Sequence, residues 1–463
     1  GARPSSDDRS TDGTVPSGGA ARMSSSDGDT PFVPGAMDRS YDDLPAVFGR
    51  YLLLRRLSQG GMGEIYIARV GEIQGFEKPI VIKKILPALA RDQEFLRLFV
   101  EEAQIAIKLN HSNIATVYEV GMVDGGYFLA MEYVEGRDLR AILERAQQQG
   151  FRVPTDVSLF LVREVANALA YAHRRTDEDG QPLNLVHCDI SPPNVLVSYE
   201  GDVKIIDFGV ARSAMQTQHE EVGFGKFGYM APEQLLKGAV IDRRADIYST
   251  GVVLYELLTG HRLFFFPPDV DHREMIRTVT AGKIRPPSAL DTRLAPLDSL
   301  VMRALGTDPD QRYSAAEELR DAVQQYLYGL NPTASADNLA ATVRELFGEE
   351  VGSDKKMLQA ASQTDLMPFQ NALSDASSQT VSYALGRDFM TVEGPAGLWL
   401  EEGALLRGSP TPGGPRPPVT TAPKGSAVVG ATRPLSPTER RAAVAVPLAT
   451  GVVPQRRRRR WLV

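Results

Sequence analysis

The chain has 463 residues, room for two or three ordinary domains, and its 43% hydrophobic and 24% charged residues suit a soluble globular protein. A formal net charge of −7 gives no reason to expect nucleic-acid binding by the whole molecule. The single cysteine, Cys188, excludes an intrachain disulfide, argues against a cysteine-based zinc site and fits a reducing cytosol; no apolar run reaches the roughly 18 residues that a membrane span needs.

Residues 1–45 are polar, acidic and rich in Ser and Gly, without hydrophobic periodicity, and are expected to be disordered with no secretory signal. Residue 1 is Gly rather than Met, and Met23 and Met37 are candidate starts ahead of the ordered sequence. Regular sequence begins near Phe48-Gly49-Arg50-Tyr51, and residues 50–83 carry short β-rich runs with glycines between them. From Phe95 to Leu109, Phe99, Ala103 and Ala106 recur at helical spacing. A further strand pair ends near Met131-Glu132-Tyr133. The pattern then turns helical, with Phe160, Leu161, Val165, Ala168, Leu169 and Ala172 marking one amphipathic helix. Residues 247–258 are apolar nearly all round, and Gly260 is placed to stop them. Too short to cross a membrane and carrying Glu256, this segment is expected to be the central helix of a large helical lobe. Residues 334–363 predict one or two more amphipathic helices striped by Leu339, Val343, Leu346 and Phe347. From 364 to 463 Ser, Thr, Pro and Gly prevail and disorder is expected, closing on the basic run Arg456–Arg460 and Trp461-Leu462-Val463.

Chemistry concentrates in four places. A glycine-rich hairpin, Ser58-Gln59-Gly60-Gly61-Met62-Gly63-Glu64-Ile65, could bring backbone N–H groups close to phosphate oxygens because no Cβ intervenes, although a plain hairpin would read the same way. Lys83 ends the apolar strand Pro79–Lys83, where it aims a charge at whatever the sheet covers or merely guards an edge. Glu102, on the next helix, is its natural ion-pair partner, or one more solvated acid beside Glu101. The most specific segment is His187-Cys188-Asp189-Ile190-Ser191-Pro192-Pro193-Asn194, followed by Val203-Lys204-Ile205-Ile206-Asp207-Phe208-Gly209. Phosphoryl transfer needs an oxygen acceptor near the incoming hydroxyl and hard oxygen ligands for Mg²⁺, and a carboxylate, an amide and a second carboxylate stand here in the order that supplies them.

With Ala231-Pro232-Glu233 added, the ordered set resembles the eukaryotic-like protein kinases, and the wording around Gly60–Glu64, Tyr229–Gln234 and Asp246–Ser249 is most similar to bacterial Ser/Thr kinases. The resemblance covers about residues 49–328. It implies an α+β bilobal kinase fold: a β-rich N-lobe with one main helix (about 49–134) and a helical C-lobe (about 135–328), between disordered N- and C-terminal extensions. It implies Mg-ATP-dependent phosphorylation of Ser or Thr on protein substrates, with autophosphorylation, in bacterial signalling. It also implies roles. Ser58, Gly60, Gly61, Met62 and Gly63 would cover the phosphates, Lys83 would hold them and pair with Glu102, and Asp189 would accept the substrate proton. Asn194 and Asp207 would ligate Mg²⁺. Ile65, Val81 and Leu196 would sandwich the adenine, with Met131 as gatekeeper, Glu132 and Val134 as hinge and Asp138 on the ribose. Glu233 and Arg312 would form an ion pair, and Asp246 would brace the catalytic loop.

Four positions depart from the pattern. Ser58 replaces the first loop glycine. Cys188 replaces the arginine that pairs with an activation-segment phosphate, so control independent of such a phosphate is expected. Ser191 and Lys226 look exchanged relative to the usual lysine and threonine, so that Lys226 would supply the charge missing at Ser191, unless it is only a tolerated surface lysine. These departures also keep a competing reading alive, a pseudokinase acting as a nucleotide-binding scaffold. Arg456–Arg460 is either a solvated tail or the approach to an anionic membrane surface or an adjoining membrane helix, which would tie a cytoplasmic catalytic domain to the inner membrane.

Overall fold

The computed structural model describes residues 44–60, 63–70, 78–86, 89–91, 93–177, 179–208, 227–267, 270–377 and 380–385. The expectations for residues 1–43, for Gly61, Met62 and Lys226, and for the basic run at 456–460 fall outside these.

The first lobe is an antiparallel sheet built from β1 (Ala46–Phe48), β2 (Tyr51–Gly60), β3 (Gly63–Val70), β4 (Ile80–Ile85), β5 (Val117–Val123) and β6 (Gly126–Glu132), with the helix α1 (Gln93–Ile107) between β4 and β5. Strand alternation divides the apolar residues between two faces. Ile80 and Ile82 of β4 join Tyr51, Leu53, Tyr66 and Phe128 on one face. Val81 and Ile85 join Phe95, Phe99 and Ala103 of α1, with Leu129 and Met131, on the other. Lys83 shares the parity of Val81 and so emerges on the α1 side. Lys84 takes the opposite face, its ammonium 4.9 Å from the Phe48 ring centroid and 5.7 Å from that of Tyr66.

The second lobe is helical: α2 (Leu139–Gln148), α3 (Thr155–His173), α4 (Arg244–Thr259), α5 (His272–Thr280), α6 (Asp298–Ala304) and α7 (Ala316–Leu330), with a small sheet of β7 (Gly136–Asp138), β8 (Val195–Ser198) and β9 (Val203–Ile205). Ala245 through Thr259 are all buried, so α4 is the central helix that its apolar sequence predicts. It ends at Gly260, whose φ of 70° closes the helix through a bond to the Glu256 carbonyl. The bilobal α+β architecture expected from the motifs is the one observed.

After α7 the chain continues in order for longer than its composition suggests. Helix α8 (Ala336–Ser362) starts on the second lobe, burying Leu339, Val343, Leu346 and Phe347 in that lobe's core. Its end is held by the first lobe: Arg69 of β3 donates to the O of Ser362, the last residue of α8, at 2.7 Å and to Thr364 O just beyond it at 3.1 Å. Helix α9 (Gln370–Ser377) and strand β10 (Val381–Leu385) follow, and β10 adds a seventh, antiparallel strand to the first sheet beside β5. Arg50 donates to Ser382 Oγ at 2.8 Å, and Tyr383 stacks on Tyr127 with centroids 5.8 Å apart. The expectation of disorder from 364 onward is therefore corrected for residues 364–377 and 380–385. The Ser, Thr, Pro and Gly content of the tail as a whole hid a five-residue apolar strand whose hydrogen-bonding partner lies far away in sequence.

The start of α8 sits against the β8–β9 turn, where Gly201 has φ 90° and a Cβ would lie 2.0 Å from the Ala336 carbonyl oxygen. Gly201→Ala should therefore cost about 2 kcal/mol or more, combining left-handed strain with a backbone clash, and thermal unfolding of the full chain should show a lowered Tm.

Candidate active site

The catalytic loop hangs on one buried carboxylate. Asp246, in the first turn of α4 and 0% exposed, accepts from the backbone N–H of His187 and of Cys188, each at 2.8 Å, and from His173 Nε2 at 2.8 Å. From the other side Gln234 Nε2 donates to Cys188 O at 2.8 Å. These bonds hold Cys188 at φ 64°, a left-handed conformation unfavourable for a residue with a Cβ. The imidazole of His187 adds to the frame. Its Nδ1 accepts from Asp189 N at 3.2 Å, so Nε2 carries the proton and donates to Ile206 O at 3.0 Å. One ring thus ties the loop to the segment ahead of Asp207. Phe208 packs edge-on against it, centroids 4.6 Å apart.

The candidate reacting groups meet above this frame. Asn194 Nδ2 donates to both the backbone O and Oδ2 of Asp189, at 2.8 Å each. Its amide nitrogen is thereby committed to orienting the Asp189 carboxylate, and Oδ1 is the atom left to ligate a cation. Lys83 Nζ donates to Asp207 Oδ2 at 2.7 Å, with the Lys83 side chain 7% exposed. Asp207 has φ 58°, a second left-handed residue without glycine's freedom. Amide oxygen and carboxylate are the hard donors that Mg²⁺ takes, so the residue set fits that ion. Lys83 is paired with Asp207. Its expected partner Glu102 lies on α1, but that side chain is outside the described residues.

The residues expected to face nucleotide are assembled by strand pairing. Ile65 faces Lys83, Ile67 faces Val81, and Val81 faces Met131 in register across β3, β4 and β6. Behind Met131 a cavity of ≈ 20 Å³, lined by Ala103, Leu129, Asp207 and Phe208 among others, has room for about one water. The Glu132 carboxylate pairs with Lys204 at 3.1 Å, and its N–H donates to Thr116 O at 2.8 Å, so this N–H is not open to a ligand. Val134 follows in the linker, 9% exposed. Asp138 and Leu196 are register partners in β7 and β8. Ser58 pairs with Ile65, and Gly60 with Gly63, at the end of the β2–β3 hairpin. Gly63 has a packing reason to lack a side chain, since a Cβ would come 1.9 Å from Lys84 O; around Gly60 the space is open.

Further out, Glu233 and Arg312 form the expected pair as a buried fork, at 2.6 and 2.7 Å. Tyr229 donates to Glu256, a carboxyl that burial pushes above its ordinary range. Ser191 is buried, and its Oγ finds no hydrogen-bond partner among the described residues. Sequence reasoning missed His173 and Gln234. Both have polar side chains that meet the loop only through the fold, and only Gln234, next to Ala231-Pro232-Glu233, lay near a legible motif.

Residues 51–323 match the protein kinase domain family, and the chain belongs to it. Its relatives include the tyrosine-protein kinase MasK of Myxococcus xanthus, 39% identical over 306 residues, or 65% of this chain and 47% of MasK. The serine/threonine-protein kinase PrkC of Bacillus subtilis is 32% identical over 277 residues (59% of this chain, 40% of PrkC). PknJ of Mycobacterium tuberculosis, also a serine/threonine-protein kinase, is 33% identical over 295 residues (61% and 46%). The chain thus spans less than half the length of each of these relatives.

Asp138 is 2% exposed and caps α2 through a bond from Ala141 N at 2.9 Å; burial raises its pKa to about 6. A carboxyl raised above its unfolded value loses relative stability as pH climbs from about 4 to 6 and carries that cost at neutral pH. Asp138→Asn keeps the cap and removes the charge, so at pH 7.5 it should stabilise the fold by on the order of 2 kcal/mol. Denaturant titrations at pH 7.5 and near pH 4 should show the gain only at the higher pH.

Proposed function

We propose that this chain is an Mg-ATP-dependent protein kinase that transfers the γ-phosphoryl group to Ser or Thr hydroxyls of protein substrates and of itself, in bacterial signalling. The observation that carries the reading is the two neighbouring pairs in which Asn194 bonds Asp189 and Lys83 bonds Asp207. In the transfer the substrate oxygen bonds to the γ-phosphorus, the bond from that phosphorus to the β,γ-bridging oxygen breaks, and ADP leaves. Asp189 takes the hydroxyl proton. Lys83, nearly buried, offers its ammonium to the phosphate oxygens, where low solvent exposure strengthens the attraction. Asn194 and Asp207 would hold Mg²⁺, which when bound neutralises charge on the phosphates. Ile65, Val81, Met131 and Leu196 supply the apolar surface for the base, and Asp138 an acceptor for the ribose. A groove of ≈ 610 Å³ beside the loop, lined by Pro192, Tyr229, Leu143, Phe151, Glu256 and Phe265 among others, is wide enough to suit a peptide segment.

Two other readings have specific support. The name of MasK favours a tyrosine acceptor, while those of PrkC and PknJ favour Ser/Thr. Ser58, Cys188 and Ser191 favour a scaffold that binds nucleotide without transfer. One experiment separates all three: autophosphorylation of the full chain from labelled ATP, followed by phosphoamino-acid analysis. Label on Ser or Thr is the expected result. Label on Tyr alone would reassign the acceptor, and nucleotide binding without label would favour the scaffold. Asp189→Asn should lower transfer by about 10²–10⁴-fold with nucleotide affinity kept, as for loss of a positioned base.

If Lys226 supplies the missing charge, Lys226→Thr should lower kcat and the double variant with Ser191→Lys should restore it; a double variant no faster than Lys226→Thr would remove the exchange.

A further inference from the structure

Arg137 lies in β7, between the residues that would face nucleotide and the rest of the second lobe. Strand alternation sends its side chain away from the face that Asp138 occupies. There it is 2% exposed, and its Nη1 donates to Gly136 O at 3.0 Å and to Asp354 Oδ2 at 2.6 Å. Asp354 belongs to α8, beyond the segment that matches the kinase family, and is itself 4% exposed. Tyr199 OH donates to the same Asp354 oxygen at 2.6 Å, while Tyr199 N donates to Glu135 O at 2.9 Å. One carboxylate from outside the kinase domain therefore holds the start of the second lobe, just past the linker, twice, through Arg137 of β7 and through Tyr199.

Helix α8 is shaped for this contact. It leaves helical geometry at Phe347 (φ −128°, ψ 26°), and the guanidinium groups of Arg137 and Arg145 lie 5.2 and 4.6 Å from the Phe347 ring centroid. Arg145 of α2 also reaches Glu350 at 2.5 Å and Leu346 O at 3.0 Å. A surface helix with a scattered charge would not need a buried carboxylate facing a buried guanidinium, because desolvating both is costly unless the geometry is used. The helix is anchored on one lobe by its apolar stripe and on the other by Arg69, so Asp354 is held at a fixed place beside the linker.

We infer that Asp354 is a positioning residue for nucleotide binding, fixing Arg137 and with it the strand that presents Asp138 and the neighbouring Glu132–Val134 linker. The inference rests on the kinase reading but concerns binding, which can be measured without transfer. The test uses the full chain and a fluorescent ATP analogue, with KM for ATP, kcat and Tm recorded alongside. Asp354→Asn keeps the shape and removes the charge. It should raise the Kd for the analogue and the KM for ATP by about fivefold, with a smaller change in kcat. The double variant Arg137→Met with Asp354→Leu replaces the buried pair by apolar side chains and should recover Tm, yet its Kd should stay raised, because nothing then bonds back to Gly136 O. An unchanged Kd in Asp354→Asn would overturn the inference. So would a Kd that returns to the wild-type value together with Tm in the double variant, since the pair would then be structural only. If Asp354→Asn does not fold, the double variant alone decides on the same criterion. A wild-type chain that binds the analogue and transfers no phosphate would defeat the kinase reading and leave this comparison standing.

Discussion

Asp246 carries more of the candidate active site than any residue that would touch substrate. Its two oxygens receive two consecutive backbone N–H groups and an imidazole, all at 2.8 Å, inside a helix buried on every side. Hydrogen bonds to a charged acceptor are each worth about 1.5–3 kcal/mol, enough to hold Cys188 in a left-handed conformation that costs about 1–3 kcal/mol. Because Cys188 turns there, Asp189 leaves the core and meets Asn194, and His187 can face both Asp189 and Ile206. The helix α4 is thus both the centre of the hydrophobic core and the mount of the catalytic loop. Rigidity in the one is inherited by the other, as a preorganised site requires.

Much of the candidate site was legible because it is local. Asp189 and Asn194 lie on one short loop, and Asp207 follows one short strand, so their order along the chain almost fixes their separation in space. Lys83 could be placed because it ends an apolar strand, where its charge points at what the sheet covers. The central helix could be placed because a segment apolar all round has only one environment in a soluble lobe. The substitutions at Cys188 and Ser191 were visible too, and burial of both side chains agrees with small residues at those positions.

What was not legible shares one property. His173 reaches Asp246 across 73 residues, and Gln234 reaches Cys188 across 46. The greatest loss was at the C-terminal end. Val381–Leu385 is only five residues long and follows the polar stretch 377–380, too short an apolar run to announce itself, and it becomes a strand because β5 offers an unpaired edge. Asp354 reads as one more charge in the polar run Glu349–Lys356, yet the kink at Phe347 turns it inward to a guanidinium 217 residues earlier.

By itself the sequence determined the kind of chemistry and the two-lobed plan, since both rest on residue types at short spacing and on periodicity. The tertiary structure alone decided how the catalytic loop is held and that a segment beyond the kinase domain is built into the join between the lobes. The reason is physical: a carboxylate's role depends on what it is buried against, and partners of Asp246 and Asp354 are brought to them only when distant stretches of chain pack together.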